Sequence, residues 1–375
     1  MRPARPLALA LLVAAGALAA PPPEGPPFFD RKRALEAQNE AARAAADEAR
    51  TTSDPARVAA LLADDSGLVR DRAFGVLAER DDEALLRALA PHLGHRDEFV
   101  SAGVAELYAQ RRFAGGREAL EKVGLASRSE VTALEAIWAL EALGDAASFE
   151  ALERAFKRRK EHRVRGDALI ALAAVAPGPA RAVVEGALQD PAPPVRIGAL
   201  VALRALDPRA AAAAAVDVVA AKPDRKNAAW EPRLLLCALE VLRQWTGRAA
   251  ERDLVVRAVD ALIERLAREE GLPQHEVNLT LDDLTQAGGL EADPEIWRGW
   301  WAPRRDAFQP VDKAPPAPPA PEPGIPPTGG DVATTRRPRR RPAPRRARTG
   351  ARGCASTASP CAASAWSSRR TCRAG

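Results

Sequence analysis

Five valines set a register through the middle of this chain. Val69, Val100, Val131, Val164 and Val195 recur at intervals of 31, 31, 33 and 31 residues, and three of them are followed by arginine as Val69-Arg70, Val164-Arg165 and Val195-Arg196. Each follows a polar or Asp-containing turn and precedes small and aliphatic residues about three and four positions on. A period near thirty with that internal spacing describes a pair of antiparallel helices. One such pair cannot bury its apolar stripe alone, so the core must form between successive pairs. This predicts an all-α chain built as a stack and confines function to what a repeat surface can do.

The apolar spacing marks the inward faces. Val69, Ala73, Val76 and Leu77 stand at i, i+4, i+7 and i+8, and the face returns as Val100, Val104 and Leu107, then Val131, Leu134, Ile137 and Trp138. It continues as Val164, Ala168, Ile170 and Ala171, then Val195, Ala199, Ala202 and Leu203. Partner helices are expected at Asp82 to Leu93, Gly116 to Gly124, Ser148 to Arg158 and Pro179 to Leu188. Ser53-Asp54-Pro55 opens the first repeat helix as cap and first turn. Lys222 to Glu231 forms a polar insertion, and helices at Arg252 to Glu270 and His275 to Thr285 close the array. Before the repeats, Ala, Glu and Arg dominate from about Asp30 to Arg50, which reads as a solvent-washed helix.

These units resemble HEAT-like repeats of the short kind. The resemblance rests on Asp65 with Val69-Arg70 and Ala73, on Val164-Arg165 with Ala168 and Leu172, and on Asp190 with Val195-Arg196, Ala199 and Ala202-Leu203. At Val100 and Val131 the arginine is replaced by Ser101 and Thr132. The likeness covers about residues 53–290 and implies a HEAT-like, ARM-type right-handed α-solenoid. The end of the body also resembles exported HEAT-repeat proteins of planctomycete-type bacteria. There a Leu-Thr-Gly element precedes Asp-Pro and a Trp-x-x-Trp-Trp element; here Leu284-Thr285 is followed by Gln286 in place of glycine, then Asp293-Pro294 and Trp297, Trp300 and Trp301. Trp245-Thr246-Gly247 looks like a second, decayed copy. The resemblance implies an exported scaffold and carries no activity with it.

Charge is unevenly divided. Residues 331–375 hold twelve arginines and one acid, Asp331, for a net +11 within a formal total of +5, so the preceding 330 residues carry −6. Basicity belongs to the tail, and a nucleic-acid function argued from the overall charge would rest on that segment alone. The expected order is a signal peptide at 1–19, a Pro-rich and helical lead-in at 20–52, and the solenoid with its Trp-rich cap at 53–302. A Pro-rich linker at 303–330 and the basic tail at 331–375 follow. Arg2 and Arg5, the apolar run Leu7 to Leu18 and Ala17-Leu18-Ala19 fit export with cleavage after Ala19, to the periplasm or beyond, leaving no stable membrane span. An uncleaved N-terminal anchor is the alternative. The linker holds ten prolines. The tail reads either as a disordered basic arm for an anionic polymer or as the product of a reading-frame error, since Cys354, Cys361 and Cys372 begin where the register is lost.

Candidate sites are few. Trp297 and Trp301, four apart with Trp300 beside them, suit a closing cap or a stacking platform for a sugar or peptide. Arg70, Arg165 and Arg196 suit a ladder to carboxylates such as Asp65, Asp167 and Asp190. Lys157, Arg158, Arg159 and Lys160 with Arg163 form a basic cluster, read as a solvated helix end or as a patch for an anionic partner. His92, His95 and Asp97 could approach a metal, but nothing in their spacing enforces it. Cys237 lies in an apolar run and reads as a small buried hydrophobe. The sequence holds none of the G-x-S-x-G, H-E-x-x-H or P-loop patterns. No catalytic residue, metal or cofactor is expected. The reading is a non-catalytic protein–protein interaction scaffold of the cell envelope with an unidentified protein partner. The alternative is an accessory domain of an envelope enzyme system that binds a small molecule or glycan at the Trp-rich end.

Overall fold

Helix starts in this chain are written in side chains that accept amides the helix itself leaves unpaired. Asp54 accepts from Ala56, Asp82 from Leu85, Asp97 from Phe99, Ser129 from Thr132 and Asp207 from Ala210, at 2.8–3.3 Å. Each such cap contributes about 1 kcal/mol. Prolines stand in the first turn at Pro55, Pro177, Pro193 and Pro208, where a missing N–H costs nothing.

The computed structural model describes the backbone of residues 28–222 and 228–312, with side chains from Arg33 onward. The expected signal peptide, the tail, most of the linker and the middle of the 222–231 insertion lie outside the described residues. The described residues are helical, with no strand among them. One layer consists of α1 (Phe28–Thr51), α3 (Gly67–Glu79), α5 (Glu98–Arg111), α7 (Glu130–Leu143), α9 (His162–Val175), α11 (Pro193–Leu206), α13 (Glu231–Gln244) and α15 (Gly271–Thr285), each packed on the next. Between them run α2 (Pro55–Leu62), α4 (Glu83–Ala88), α6 (Arg117–Ala119), α8 (Phe149–Arg158), α10 (Pro177–Ala187), α12 (Pro208–Ala220), α14 (Arg252–Leu266) and α16 (Pro294–Trp301). This is an all-α solenoid, and its core lies between the alternating sets.

Two partner helices are shorter than their apolar patterns suggest. Pro91 ends regular α-helix after α4, and the chain continues as a 3₁₀ segment over Ala90–Gly94. After α6 the chain widens into a π-helical turn at Leu120–Gly124, which brings Gly124 so close to α7 that a Cβ there would lie 2.7 Å from that of Ala136. At the start of the array, α1 is only half washed by solvent. Ala42, Ala45, Ala46 and Ala49 are buried, because side chains this small let α1 lie directly on α3. At the other end, residues 303–312 fold back onto the solenoid rather than beginning the linker. Phe308 meets Trp301 edge-on at 5.1 Å, and Arg252 donates to the carbonyls of Arg305, Asp306 and Phe308.

The valine register needs one correction. Val69, Val100, Val164 and Val195 are buried, each three residues after the cap position of its helix. In α7 the cap is Ser129, so the third residue is Thr132, which is fully buried, while Val131 is displaced to a half-exposed position. The cap positions 66, 97, 129, 161 and 192 recur every 31 or 32 residues, and the odd 33-residue interval disappears. Thr132 therefore stands in the valine slot, with Ala133 in the slot that Arg70, Arg165 and Arg196 occupy elsewhere. The face assigned to α9 shifts similarly: Leu169 and Leu172 are fully buried and Ile170 is half-buried.

Candidate functional site

The three register arginines all reach toward the next repeat, with three different landings. Arg165 Nη2 meets Asp190 Oδ2 at 2.5 Å, Arg165 Nε donates to the Phe156 carbonyl, and the guanidinium lies 5.3 Å from the Phe156 ring. Arg196 pairs with Glu231 at 3.4 Å. Arg70 stacks 4.1 Å over Phe99 and donates to the carbonyl of Asp64. Of the carboxylates expected in the ladder, Asp190 takes part. Asp167 instead accepts the indole N–H of Trp138 at 2.9 Å, and Arg70 meets a backbone oxygen where Asp65 was expected. Where α5 meets α7 there is no arginine. The Ser101 and Thr132 hydroxyls lie 2.8 Å apart in a fully buried contact, and Ser129 donates to Glu98 at 3.1 Å. These contacts place the N-terminal ends of successive register helices side by side along one edge.

The basic cluster divides by role. Lys157 pairs with Glu153 at 2.7 Å. Arg159 is structural: its Nε meets Glu161 at 2.9 Å and its Nη1 donates to the carbonyls of Leu125 and Ser127 at 3.2 and 2.6 Å. Burial would raise the Glu161 carboxyl, but backbone amides and Arg159 outweigh it and hold it below its ordinary value. Arg158, Lys160 and Arg163 are exposed and form no ion pair among the described residues.

The tryptophans close the far end. Asp293 caps α16 through the amides of Glu295 and Ile296, with Pro294 in the first turn. Trp297 is fully buried and donates to Asn278 Oδ1 at 2.6 Å, while Asn278 donates to the Leu290 carbonyl. Trp301 is buried and donates to Asp260 Oδ1 at 2.7 Å, and Arg305 grips the same carboxylate. Both indoles have their N–H groups and ring faces committed to packing. Trp300 is half-buried, 6.4 Å from Trp301 and nearly parallel to it, with the Arg304 guanidinium 4.8 Å from its ring. At Gln286, the departure from glycine noted in the sequence falls on a left-handed residue with φ +54°, the conformation in which glycine is least strained.

The remaining candidates are likewise held in local structure. Asp97 uses its carboxylate to cap α5, and its amide donates to His95 Nδ1 at 3.1 Å. The His92 and His95 rings lie 6.1 Å apart, and no group of three or more His, Cys, Asp or Glu among the described residues is arranged to hold a metal. Burial pushes the Cys237 thiol up to about 11, away from the reactive thiolate.

Sequence reasoning missed the arginines at helix ends. Arg80 donates to the carbonyls of Ala49 and Thr52, and Arg111 to the carbonyl of Ala78 and the carboxylate of Asp81, each reaching back to the carbonyl end of the preceding register helix. Arg248, only 2% exposed, donates to the carbonyls of Leu242, Arg243 and Asp283 and to the Asp283 carboxylate. The signal available was an arginine just after each apolar run, too common in this Arg-rich chain to stand out.

No family model matches the chain, and none of the curated proteins does. Among solved structures the chain is similar to the complex of CpcE and CpcF of phycocyanin lyase from Nostoc sp. PCC7120. The two share 18% identity, the match covers 61% of this chain and 94% of that one, and the TM-score is 0.36. The solenoid is formed by the successive packing of this chain's own helices.

Proposed function

We propose that the protein is a non-catalytic protein–protein interaction scaffold of the cell envelope. One observation carries this reading. The side chains best suited to chemistry are engaged in local turns, helix caps and inter-repeat contacts, while the helix starts of α5, α7 and α9 carry exposed groups at repeat spacing. His95 accepts the Asp97 amide within the turn before α5, Asp97 caps that helix, and Asp190 and Glu231 serve inter-repeat contacts. Along the edge, Arg96, Phe99, Arg128, Lys160 and Arg163 are exposed. A surface of that kind is what repeat proteins use to hold a partner. The burial of Trp297 and Trp301 supports a closing role for the cap over a glycan platform. The envelope location is supported by the charged, apolar and small-residue order of the first 19 residues. No helix among the described residues is long and apolar enough to cross a membrane.

The test is photo-cross-linking in cells of the source organism, with the reactive group placed in turn at Phe99, Arg128 and Arg163 on the edge, at Arg154 and Arg181 on the partner helices, and at Leu279 on α15. Mass spectrometry then identifies the adducts. The scaffold reading expects one or a few proteins captured from contiguous positions in the envelope fraction, by chains beginning at Ala20. Capture of no protein at any position overturns it.

A further inference from the structure

The exposed cations of the basic cluster belong to a patch that spans two repeats. Arg159 bridges to the carbonyls of Leu125 and Ser127, which ties the turn before α9 against the turn before α7. This brings the turn that carries Arg128, next in sequence to Ser127, to the turn that carries Lys160, next to Arg159. The two are equivalent, each immediately before the cap position of its helix, and 32 residues apart. Arg158 and Arg163 flank Lys160 on the same turn. All four are exposed and make no ion pair among the described residues. The neighbouring carboxylates are Glu161, neutralised by Arg159, Glu98, which accepts from Ser129, and Glu130, which is half-buried.

Resting on the scaffold reading, we infer that Arg128, Arg158, Lys160 and Arg163 receive an extended acidic polypeptide segment of the partner, with a carboxylate at about every third residue. Spacing supports this. Packed helix axes lie roughly 8–10 Å apart, and a polyproline-type chain advances about 9 Å per three-residue turn. A carboxylate at every third position therefore meets successive repeats from one side of the segment. The composition of the edge favours a polypeptide over a nucleic acid. Glu130 sits among the cations and opposes an unbroken row of phosphates, whereas a chain with neutral residues between its acids can pass over it. The nearest exposed aromatic, Phe99, is already stacked against Arg70.

The test measures fluorescence anisotropy with the full chain. The probes are a peptide carrying glutamate at every third position, an isomer with the same glutamates clustered, and a single-stranded oligonucleotide of equal charge. Arg128→Glu/Lys160→Glu is compared with Arg72→Glu/Arg268→Glu, which makes the same charge change at exposed positions elsewhere. The arginine-rich tail is common to both and cancels. Arg163→Ala, a milder change, guards against misfolding of the double variant, and thermal melts of all three confirm the fold. The expected result is a loss of at least ten-fold for the spaced peptide in the edge variant, a change within two-fold in the control, and preference for the spaced peptide over its isomer. Equal losses in the two double variants, no preference between isomers, or an oligonucleotide that binds more tightly and weakens in step would each overturn the inference. Cross-links mapping to another face would leave the scaffold standing and remove only this assignment, whereas capture of no protein anywhere would remove the scaffold reading itself.

Discussion

Gly198 on α11 lies so close to Gly166 on α9 that a Cβ at position 198 would sit 2.3 Å from the Gly166 carbonyl oxygen; in the other direction, a Cβ at 166 would meet the Pro194 carbonyl at 2.6 Å. Both obstacles are backbone and cannot swing aside. Alanine normally stabilises a helix interior by about 0.5–1 kcal/mol over glycine. At Gly198 that gain is outweighed by forcing two helices apart, a cost of about 1–3 kcal/mol. Gly198→Ala should therefore lower unfolding free energy, while Gly75→Ala, which meets nothing within 4 Å on α3, should raise it. Urea titrations of the two variants check the opposite signs.

The buried Ser101–Thr132 contact predicts unequal single substitutions. Ser101 also lies near the Asp97 and Glu98 carbonyls, at 3.3 and 3.4 Å, so its hydroxyl keeps an acceptor when Thr132 is lost. Ser101→Ala leaves the Thr132 hydroxyl buried with no side-chain partner and should cost about 1–3 kcal/mol, with Thr132→Val costing less. A double-mutant cycle with Ser101→Ala/Thr132→Val should recover much of the loss. Equal, additive losses would show that the two hydroxyls do not depend on each other.

Arg248 joins the last carbonyls of α13 to Asp283 on α15 from a buried position. Arg248→Ala should destabilise the C-terminal repeats by about 3 kcal/mol, since it strands both carbonyls and a carboxylate. Arg248→Lys should fare little better, because one ammonium cannot span the fork's several acceptors. Hydrogen exchange resolved by segment should place the loss in α13 to α16.

The cap should loosen in acid. Burial alone would raise the Asp260 carboxyl, but hydrogen bonds from Arg305 and Trp301, with the Arg305 charge, outweigh it and hold it below its ordinary value. A carboxylate lowered in the folded state adds stability that is fully present above its unfolded value. That stability is lost as the pH falls through the lower folded value. Tryptophan fluorescence should therefore report loosening of the Trp301 contact as the pH falls below about 4. Asp260→Asn should flatten that part of the profile while starting from lower stability at neutral pH.

The repeat period, the all-α class and most helix positions were legible because caps, prolines and apolar spacing are local signals. The slip at Val131 was also legible in principle, since Ser129 stands one residue nearer to it than Asp97 does to Val100. Counting valines hid what counting caps reveals. The landings of Arg70, Arg165 and Arg196 were only partly legible, because a partner 25–35 residues away depends on how far one helix slides along the next. The half-buried α1 escaped notice because four alanines look solvent-tolerant in sequence, yet their small size is what permits close packing. Within the basic cluster, composition could not separate Arg159, which ties two turns together, from Arg158, Lys160 and Arg163, which remain exposed.

The forward reach of the register arginines has a consequence for how such an array can change length. A tandemly duplicated unit brings an arm for its new successor and a place for its predecessor's arm to land, so growth needs no new contact where both halves recur, as between α9 and α11. The α5–α7 junction differs, because its hydroxyl pair is matched to those two helices alone. Insertion there would separate Ser101 from Thr132 and leave each facing a surface made for something else. That junction should behave as a fixed seam, whereas the unit that joins α9 to α11 is free to multiply.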